Sequence, residues 1–246
     1  MAKLNLATID PDKPEIFHAL QGEGVSIGRP SVFVRLSGCN LHCVWCDTAY
    51  TWRFSGSNYP HSDDQAFDRK ANSLMMEVAD VADAVRGLGC RHVILTGGEP
   101  LLQQTGLATL CEALGPGFHV EIESNGTTAL SDRLSPLVDQ LNLSPKLAHS
   151  GNSDANPLRD EVLLTYAQDP RAWFKFVVAS PDDADEINAL AERTAIPASH
   201  IIVMPEGRDA ATLRAREAWL MQIALENDWR MSDRLHIRLS GDTRGT

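Results

Sequence analysis

The sequence lacks most of the features that would send it to the large non-enzymatic classes. No apolar run approaches the roughly 20 residues that cross a bilayer, so no membrane insertion is expected. The opening stretch, MAKLNLATIDPDKPEIF, has no continuous apolar segment behind a basic start. No secretory signal is read there, and the cytoplasm is the expected compartment. Positive charge is scarce: 22 Lys and Arg stand against 33 Asp and Glu, a formal net charge of -11. An extended nucleic-acid surface needs concentrated cations, and no Lys/Arg stripe supplies them. Internal repeats and low-complexity tracts are absent too. Cysteine is sparse, with five in 246 residues, yet Cys39, Cys43 and Cys46 fall within eight consecutive positions.

What is present reads as a globular α/β protein. Hydrophobic residues make up 43% and charged residues 22%, a globular balance, and a chain of this length can bury one large core. Residues 1–246 are therefore expected to form one domain. Short β-type runs alternate with helical patterns, the signature of βα units around a parallel sheet. Strands are expected at 31–37, 91–96, 118–124, 139–144, 172–178 and 200–205, with a closing edge strand at 234–240. Leu74, Val78, Val81 and Val85 recur at helical spacing, as do Leu107, Leu110 and Leu114. Ser180 as N-cap and Pro181 at the first helical position predict a helix over 181–194, and another is expected over about 209–226. The polar, Gly/Pro-punctuated segment 53–72 reads as an insertion or lid. The expected architecture is a partial, open TIM-like βα barrel.

The unusual motifs sit at or just beyond the C-terminal ends of the expected strands: Gly38 and the cysteines, Thr96-Gly97-Gly98-Glu99, Glu123-Ser124-Asn125, Ser144-Pro145-Lys146 and Met204-Pro205-Glu206-Gly207. In a parallel βα barrel those ends make one face, where active sites assemble.

The cysteine spacing is C-x3-C-x2-C. Thiolates bind soft metals and iron-sulfur clusters, and three of them leave one iron of a 4Fe-4S cluster free for a small molecule. The alternatives are a structural zinc completed by His42 or by a distant group, and buried spectator thiols. Cys90, before an expected strand, and Cys111, within an expected helix, read as small core hydrophobes.

C-x3-C-x2-C with Trp45 before the last cysteine, and GGEP after the next strand, resembles the radical S-adenosylmethionine (SAM) enzymes. EIFHALQGEG (15–24), VFVRLSGCN (32–40), CDTAYTW (46–52), TGGEP (96–100), IESNGT (122–127), LSPK (143–146) and LHIRLSGDTRGT (235–246) narrow the resemblance to the 7-carboxy-7-deazaguanine synthases. It implies a 4Fe-4S cluster on Cys39, Cys43 and Cys46, whose open iron chelates SAM. It also implies substrate contacts from Leu20, Gln21, Gly22, Glu23, Thr96 and His236, and pairing of Arg35 with the substrate carboxylate. Thr48 would ligate Mg2+, although Asp47 beside it is a ligand of the right type as well. SAM contacts are implied for Trp45, Cys46, Asp47, Gly98, Glu99, Ser144, Pro145, Lys146, Met204, Pro205, Glu206 and Gly207. Met204 departs from the family, several members of which carry Gln there.

Taken residue by residue, several of these have a plainer reading. QGEG also fits a surface turn, Arg35 a structural ion pair, Gly98 an ordinary tight turn, and His236 a structural histidine. Glu123 and Asn125 fit either a pocket wall or a helix cap.

The reaction implied is a lyase reaction: 6-carboxy-5,6,7,8-tetrahydropterin becomes 7-carboxy-7-deazaguanine with loss of ammonia, SAM being used catalytically, in queuosine and 7-deazapurine biosynthesis. The resemblance also implies an electron donor such as flavodoxin or ferredoxin, and a homodimer. Another radical SAM enzyme, such as a glycyl-radical activase, would share the cluster and GGEP but would not need QGEG, Arg35 or Thr48. A non-enzymatic iron-sulfur electron carrier would need a fourth protein ligand.

Overall fold

A computed structural model describes residues 2–152 and 159–246. In chain order the elements are β1 (Lys3–Asp10), β2 (Lys13–Pro14), β3 (Ile16–Leu20), β4 (Pro30–Leu36), α1 (Arg69–Asn72), β5 (Ser73–Glu77), α2 (Val78–Gly87), β6 (His92–Gly97), α3 (Gln104–Leu114), β7 (His119–Ser124), β8 (Gln140–Leu143), α4 (Asp160–Ala167), β9 (Ala172–Val178), α5 (Asp183–Thr194), β10 (Ile201–Pro205), α6 (Ala210–Glu226), β11 (Arg230–Met231) and α7 (Leu235–Ser240).

Strands β4, β6, β7, β8, β9 and β10 lie side by side in that order and run parallel, with the short β11 beyond β10. At the other edge β1 and β3 pair antiparallel with β4, and β5 pairs antiparallel with β1. The edges do not pair with each other among the described residues, so this is the expected open, partial βα barrel.

Strand period two sorts the side chains into an outer and an inner face. Val32, Val34 and Leu36 of β4, Val120 and Ile122 of β7, and Phe174 and Phe176 of β9 are buried in the core cluster with Leu107, Leu110, Ile187 and Leu190 from the helices. The alternating positions face inward and are largely polar: Arg35, Thr96, Glu123, Asn142 and Lys175 all line a central cavity. The inward layer can be polar because its hydrogen bonds are made between strands, as described below.

Three expectations are corrected. Residues 234–240 form no strand: Leu235–Ser240 is helix α7. Six residues with apolar positions at alternate sites fit either element. The tie-breaker is tertiary, since Arg234 is buried by ion pairs and Leu235 donates its N–H to Gly22 O at 2.8 Å. Leu74 belongs to β5, paired with Leu6, and the helix starts only at Val78. The helix expected from 181 starts at Asp183, whose carboxylate Oδ2 accepts from Ala179 N at 2.7 Å and Ser180 N at 3.0 Å. The polar segment 53–72 lies against the outside of the cysteine loop: Ser62 N donates to Val44 O at 2.7 Å, and a His61 ring nitrogen is 2.8 Å from Cys46 O. None of its residues lines the cavity.

Candidate active site

The C-terminal ends of the parallel strands surround a cavity of about 210 Å³. Among the residues singled out in the sequence, Leu20, Gln21, Gly22, Glu23, Arg35, Thr96 and His236 line it, as do Cys39, Cys43, Cys46 and Thr48. Trp45, Asp47, Gly98, Ser144, Lys146, Met204 and Glu206 line it as well. Glu99, Pro145, Pro205 and Gly207 do not.

Glu99 is fully buried and turned inward on its own backbone. Its carboxylate accepts from Leu101 N at 2.9 Å, Ser124 Oγ at 2.9 Å and Asn125 N at 2.7 Å. Burial pushes its carboxyl above the ordinary range, and these donors only partly offset that. Its visible role is to tie the turn after β6 to the end of β7. Gly98 is held for a similar reason. A Cβ built there would lie 2.1 Å from Gly38 O, and Glu99 N donates to that same carbonyl at 2.8 Å. The close approach is therefore to the cysteine loop itself. Gly98→Ala should push that loop away, so iron bound per chain after anaerobic reconstitution should fall at least several-fold; unchanged iron content would contradict this reading of the contact.

The cysteine loop follows β4, where Gly38 N donates to Thr51 O at 2.7 Å. Each sulfur has a donor aimed at it: Leu41 N at 3.4 Å for Cys39, Asn152 Nδ2 at 3.1 Å for Cys43 and Trp52 Nε1 at 3.4 Å for Cys46. Such donors suit thiolates. Burial pushes the Cys39 thiol up to about 12 and raises Cys43 and Cys46 as well, so a cationic partner is needed to hold all three as thiolates near neutral pH.

His42, the group that might have completed a zinc site, stacks on Tyr59 with ring centroids 3.5 Å apart. The loop fits a cluster.

The same cavity is lined by a charged web. Glu23 is gripped by Lys175 Nζ and accepts from Arg234 Nε at 3.0 Å, with His236 Nε2 3.8 Å away. Burial alone would raise the Glu23 carboxyl; Lys175, then Arg234 and His236, outweigh it and hold Glu23 well below the carboxylate range. Arg234 reaches Asp47 Oδ2 with a second nitrogen and Gly207 O, at 2.6 Å, with the third. Asp47 is held below its usual range by Arg234 in spite of its burial.

Gln21 Nε2 donates to Glu123 Oε1 at 2.9 Å and Glu121 Oε1 at 3.3 Å, and its Oε1 accepts from Glu23 N at 3.1 Å. Thr96 Oγ1 donates to Glu123 Oε2 at 2.9 Å. Gly22 leaves room for His236, whose Nδ1 would lie 2.1 Å from an added Cβ. On the sulfur side, Lys146 Nζ donates to Ser144 Oγ at 2.7 Å and stands 5.6 Å from the centroid of the Trp45 ring.

Arg35 combines the two readings open to it. Its Nε donates to the fully buried Glu15 at 2.8 Å, and Glu15 also accepts from Tyr50 OH. Neither terminal nitrogen of the guanidinium has a protein partner among the described residues, while the side chain lines the cavity. Burial opposes its charge, but Tyr50 and Glu15 more than compensate and keep it cationic.

Lys175, Arg234 and Asn142 were not identified from the sequence, nor was Thr246, which also lines the cavity. Lys175 carried a readable signal: a lone charge in the apolar run AWFKFVV, in phase with the inward face. Arg234 had none.

Residues 33–150, from β4 to just past the cysteine-facing loop after β8, match the radical SAM superfamily. Over the whole chain the similarity is more specific. A 7-carboxy-7-deazaguanine synthase of Pyrobaculum aerophilum is 36% identical over 94% of this chain and 95% of its own length. One of Halobacterium salinarum is 35% identical over 94% and 91%. Among solved structures, QueE from Escherichia coli superposes with a TM-score of 0.62 at 26% identity, covering 94% of this chain and 95% of that one. With the cysteine loop, the glycine turn and the charged web meeting in one cavity, the chain belongs to the 7-carboxy-7-deazaguanine synthase family of radical SAM enzymes.

Proposed function

We infer that the protein is the lyase that converts 6-carboxy-5,6,7,8-tetrahydropterin to 7-carboxy-7-deazaguanine with loss of ammonia. The observation that supports this best is the make-up of the cavity. Its lining combines three sulfurs with a cation, Arg35, and the fixed polar edges of Gln21 and Glu23. That combination suits a planar heterocycle bearing a carboxylate: the Arg35 fork takes the carboxylate, and Gln21, Glu23 and Thr96 read the amide-like ring edge.

When bound, the cluster on Cys39, Cys43 and Cys46 supplies reductive cleavage of SAM to a carbon radical, with SAM regenerated at the end of each cycle. The chain's own work is to orient and to exclude water. Gly98, whose added Cβ would lie 3.1 Å from Cys39 Cβ, and the Ser144-Lys146 pair border the sulfurs, where SAM would sit, and the buried Met204 also lines the cavity. Trp45 is fixed by its Nε1, which donates to His149 Nδ1 at 3.0 Å.

Thr48 is proposed to hold Mg2+. Its hydroxyl lines the cavity, 3.5 Å from Cys46 Sγ, and magnesium takes one or two protein oxygens with the rest from substrate and water. Asp47 is less suited, because Arg234 already occupies its carboxylate. His236 stands beside Glu23 and completes the substrate end. Residues 1–246 as one domain, a homodimer, a flavodoxin- or ferredoxin-type donor and the cytoplasm are family-level parts of the same proposal.

The test is an anaerobic assay of reconstituted protein with SAM, a reductant, Mg2+ and the carboxytetrahydropterin, following the deazaguanine by mass spectrometry and the ammonia by a coupled reaction. Many turnovers per SAM are expected. Cleavage of SAM with the pterin untouched would remove the substrate assignment and leave the radical SAM chemistry. Within that assay, Arg35→Lys keeps a cation beside Glu15 but loses the planar fork. The KM for the pterin should rise by about tenfold or more while iron content stays the same, and an unchanged KM would take Arg35 out of carboxylate binding.

A further inference from the structure

At the far end of the barrel from the cysteines, a second group of donor atoms converges that the reaction does not use. His92 and His119 are the first residues of β6 and β7 and pair in register, and Glu121 lies two residues further along on the same inward face. The mouth of the barrel is five strand positions away from His92, roughly 15 Å at strand rise. One ligand atom from each of the three side chains falls within 4.8 Å of the others. None of the three lines the active-site cavity.

The hydrogen bonds leave this group short of a positive charge. Ser31 Oγ donates to Arg29 O at 3.0 Å, so toward His92 it can only accept. His92 Nδ1, 2.6 Å from Ser31 Oγ, therefore carries the proton, a tautomer assigned from the network. In the neutral ring Nε2 is then a bare lone pair, and it faces Glu121 Oε2 at 3.2 Å, acceptor against acceptor. His92 is 3% exposed and its Nε2 has no hydrogen-bond partner; His119 Nε2 is likewise buried without a partner. Arg29 is close enough to oppose a proton on His119, but it makes no hydrogen bond or ion pair to any of the three side chains among the described residues. Glu121 Oε2 accepts from Ser26 Oγ at 2.7 Å, its Oε1 accepts from Gln21 and Asn142, and Asp139 lies 3.9 Å from the outer ring nitrogen of His119.

We propose that His92 Nε2, His119 Nε2 and Glu121 Oε2 bind a divalent transition metal of the zinc type. Two imidazoles and one carboxylate suit zinc and its neighbours rather than magnesium or calcium, which take oxygen ligands. The Nδ1–H of His92 on Ser31 is the outer hydrogen bond that orients a metal-binding histidine. The side chain of His119 is one-third exposed, which gives the ion a way in and room for a water as fourth ligand. The site is structural in character. Bound there, the metal would fix Glu121, whose other oxygen holds Gln21 and Asn142 at the floor of the cavity.

The experiment uses the cluster-loaded protein, so that the three cysteines are occupied. After exposure to Zn2+ and desalting, zinc and iron per chain are measured by elemental analysis, and crystals are examined for anomalous scattering at the zinc edge. One zinc per chain is expected, with iron unchanged, thermal stability raised and the anomalous peak between the three side chains. His119→Gln, at the partly exposed ligand, should weaken zinc binding about 100-fold, since even outer partners of metal-bound histidines are worth 10- to 100-fold. Failure of the wild-type protein to retain zinc, equal zinc in His119→Gln, or an anomalous peak elsewhere would each overturn the site. The wild-type crystals decide the question even if the variant folds poorly.

Discussion

Cys43→Ala is expected to abolish deazaguanine formation and to leave a chain that does not retain a full complement of iron and sulfide. Cys43 is buried, and its sulfur accepts from Asn152 Nδ2, while Asn152 Oδ1 accepts from His42 N at 2.8 Å. One side chain thus sets the loop backbone and the sulfur together. Loss of the sulfur removes one of three iron ligands, and no cysteine is placed to replace it. Cys90 contacts Pro30 O at the opposite end of the barrel, and Cys111 lies in α3 within the core cluster. Cys90→Ser and Cys111→Ala should therefore keep both iron and turnover. Iron loss in either would mean a fourth protein ligand, the requirement of an electron-transfer cluster, and would undo the open-site reading. Asn152→Ala should fall between, with the loop retained and the cluster lost more readily to air or chelator, because a thiolate without its donor is less well held.

How much of this could be read beforehand depended on which forces decide each element. The six parallel strands were legible because each is a short apolar run bounded by turn residues, and the placing of GGE, SPK and MPEG after them followed directly. The antiparallel β1, β3 and β5 were not. KLNLATID and IFHAL have the right composition, but only pairing with β4 and with each other decides that they are strands. Alternation in RLHIRLS suits a strand, but Arg234 and the Gly22 contact set the conformation of helix α7.

The site shows the same division. Cysteine spacing marks a cluster loop from local sequence alone. The charged web joins Glu23, Asp47, Lys175 and Arg234 across a sequence span of more than 200 residues, and no local pattern announces it. One part of the site does carry a local signal. Arg35, Glu121, Glu123, Asn142 and Lys175 each sit between residues that are fully or almost fully buried in strands of the parallel sheet. A polar residue in phase two with such neighbours faces the barrel interior, and four of those five positions line the cavity.

Arg234→Gln should be the most disruptive change that spares the cysteines, because this one side chain holds the two halves of the site together. Its three nitrogens reach Glu23, Asp47 and Gly207 O, and its side chain is 7% exposed. Glutamine leaves the Glu23 carboxylate to Lys175 and His236, and the Asp47 carboxylate to the weaker influence of Arg35. Breaking a buried ion pair from one side costs about 3–5 kcal/mol, and the one-third exposure of Asp47 reduces this to about 2–4 kcal/mol. For a chain of this size that is roughly 5–15 °C in Tm.

The pH dependence has a definite sign. Glu23 and Asp47 have folded pKa values below their unfolded ones, so their stabilisation is complete above the ordinary carboxylate range and is lost as pH falls toward the folded values. Without Arg234 the folded values rise, and the acid limb of the stability curve should move to higher pH. On the proposed assignment Asp47 adjoins the cluster ligand Cys46 and Glu23 contacts the pterin, so KM should rise for SAM and for the pterin together. Arg234→Lys should recover part of the Tm but not both KM values, since a single ammonium cannot span three acceptors. A Tm and acid limb unchanged in Arg234→Gln would show that the web is not what holds the two walls of the cavity in place.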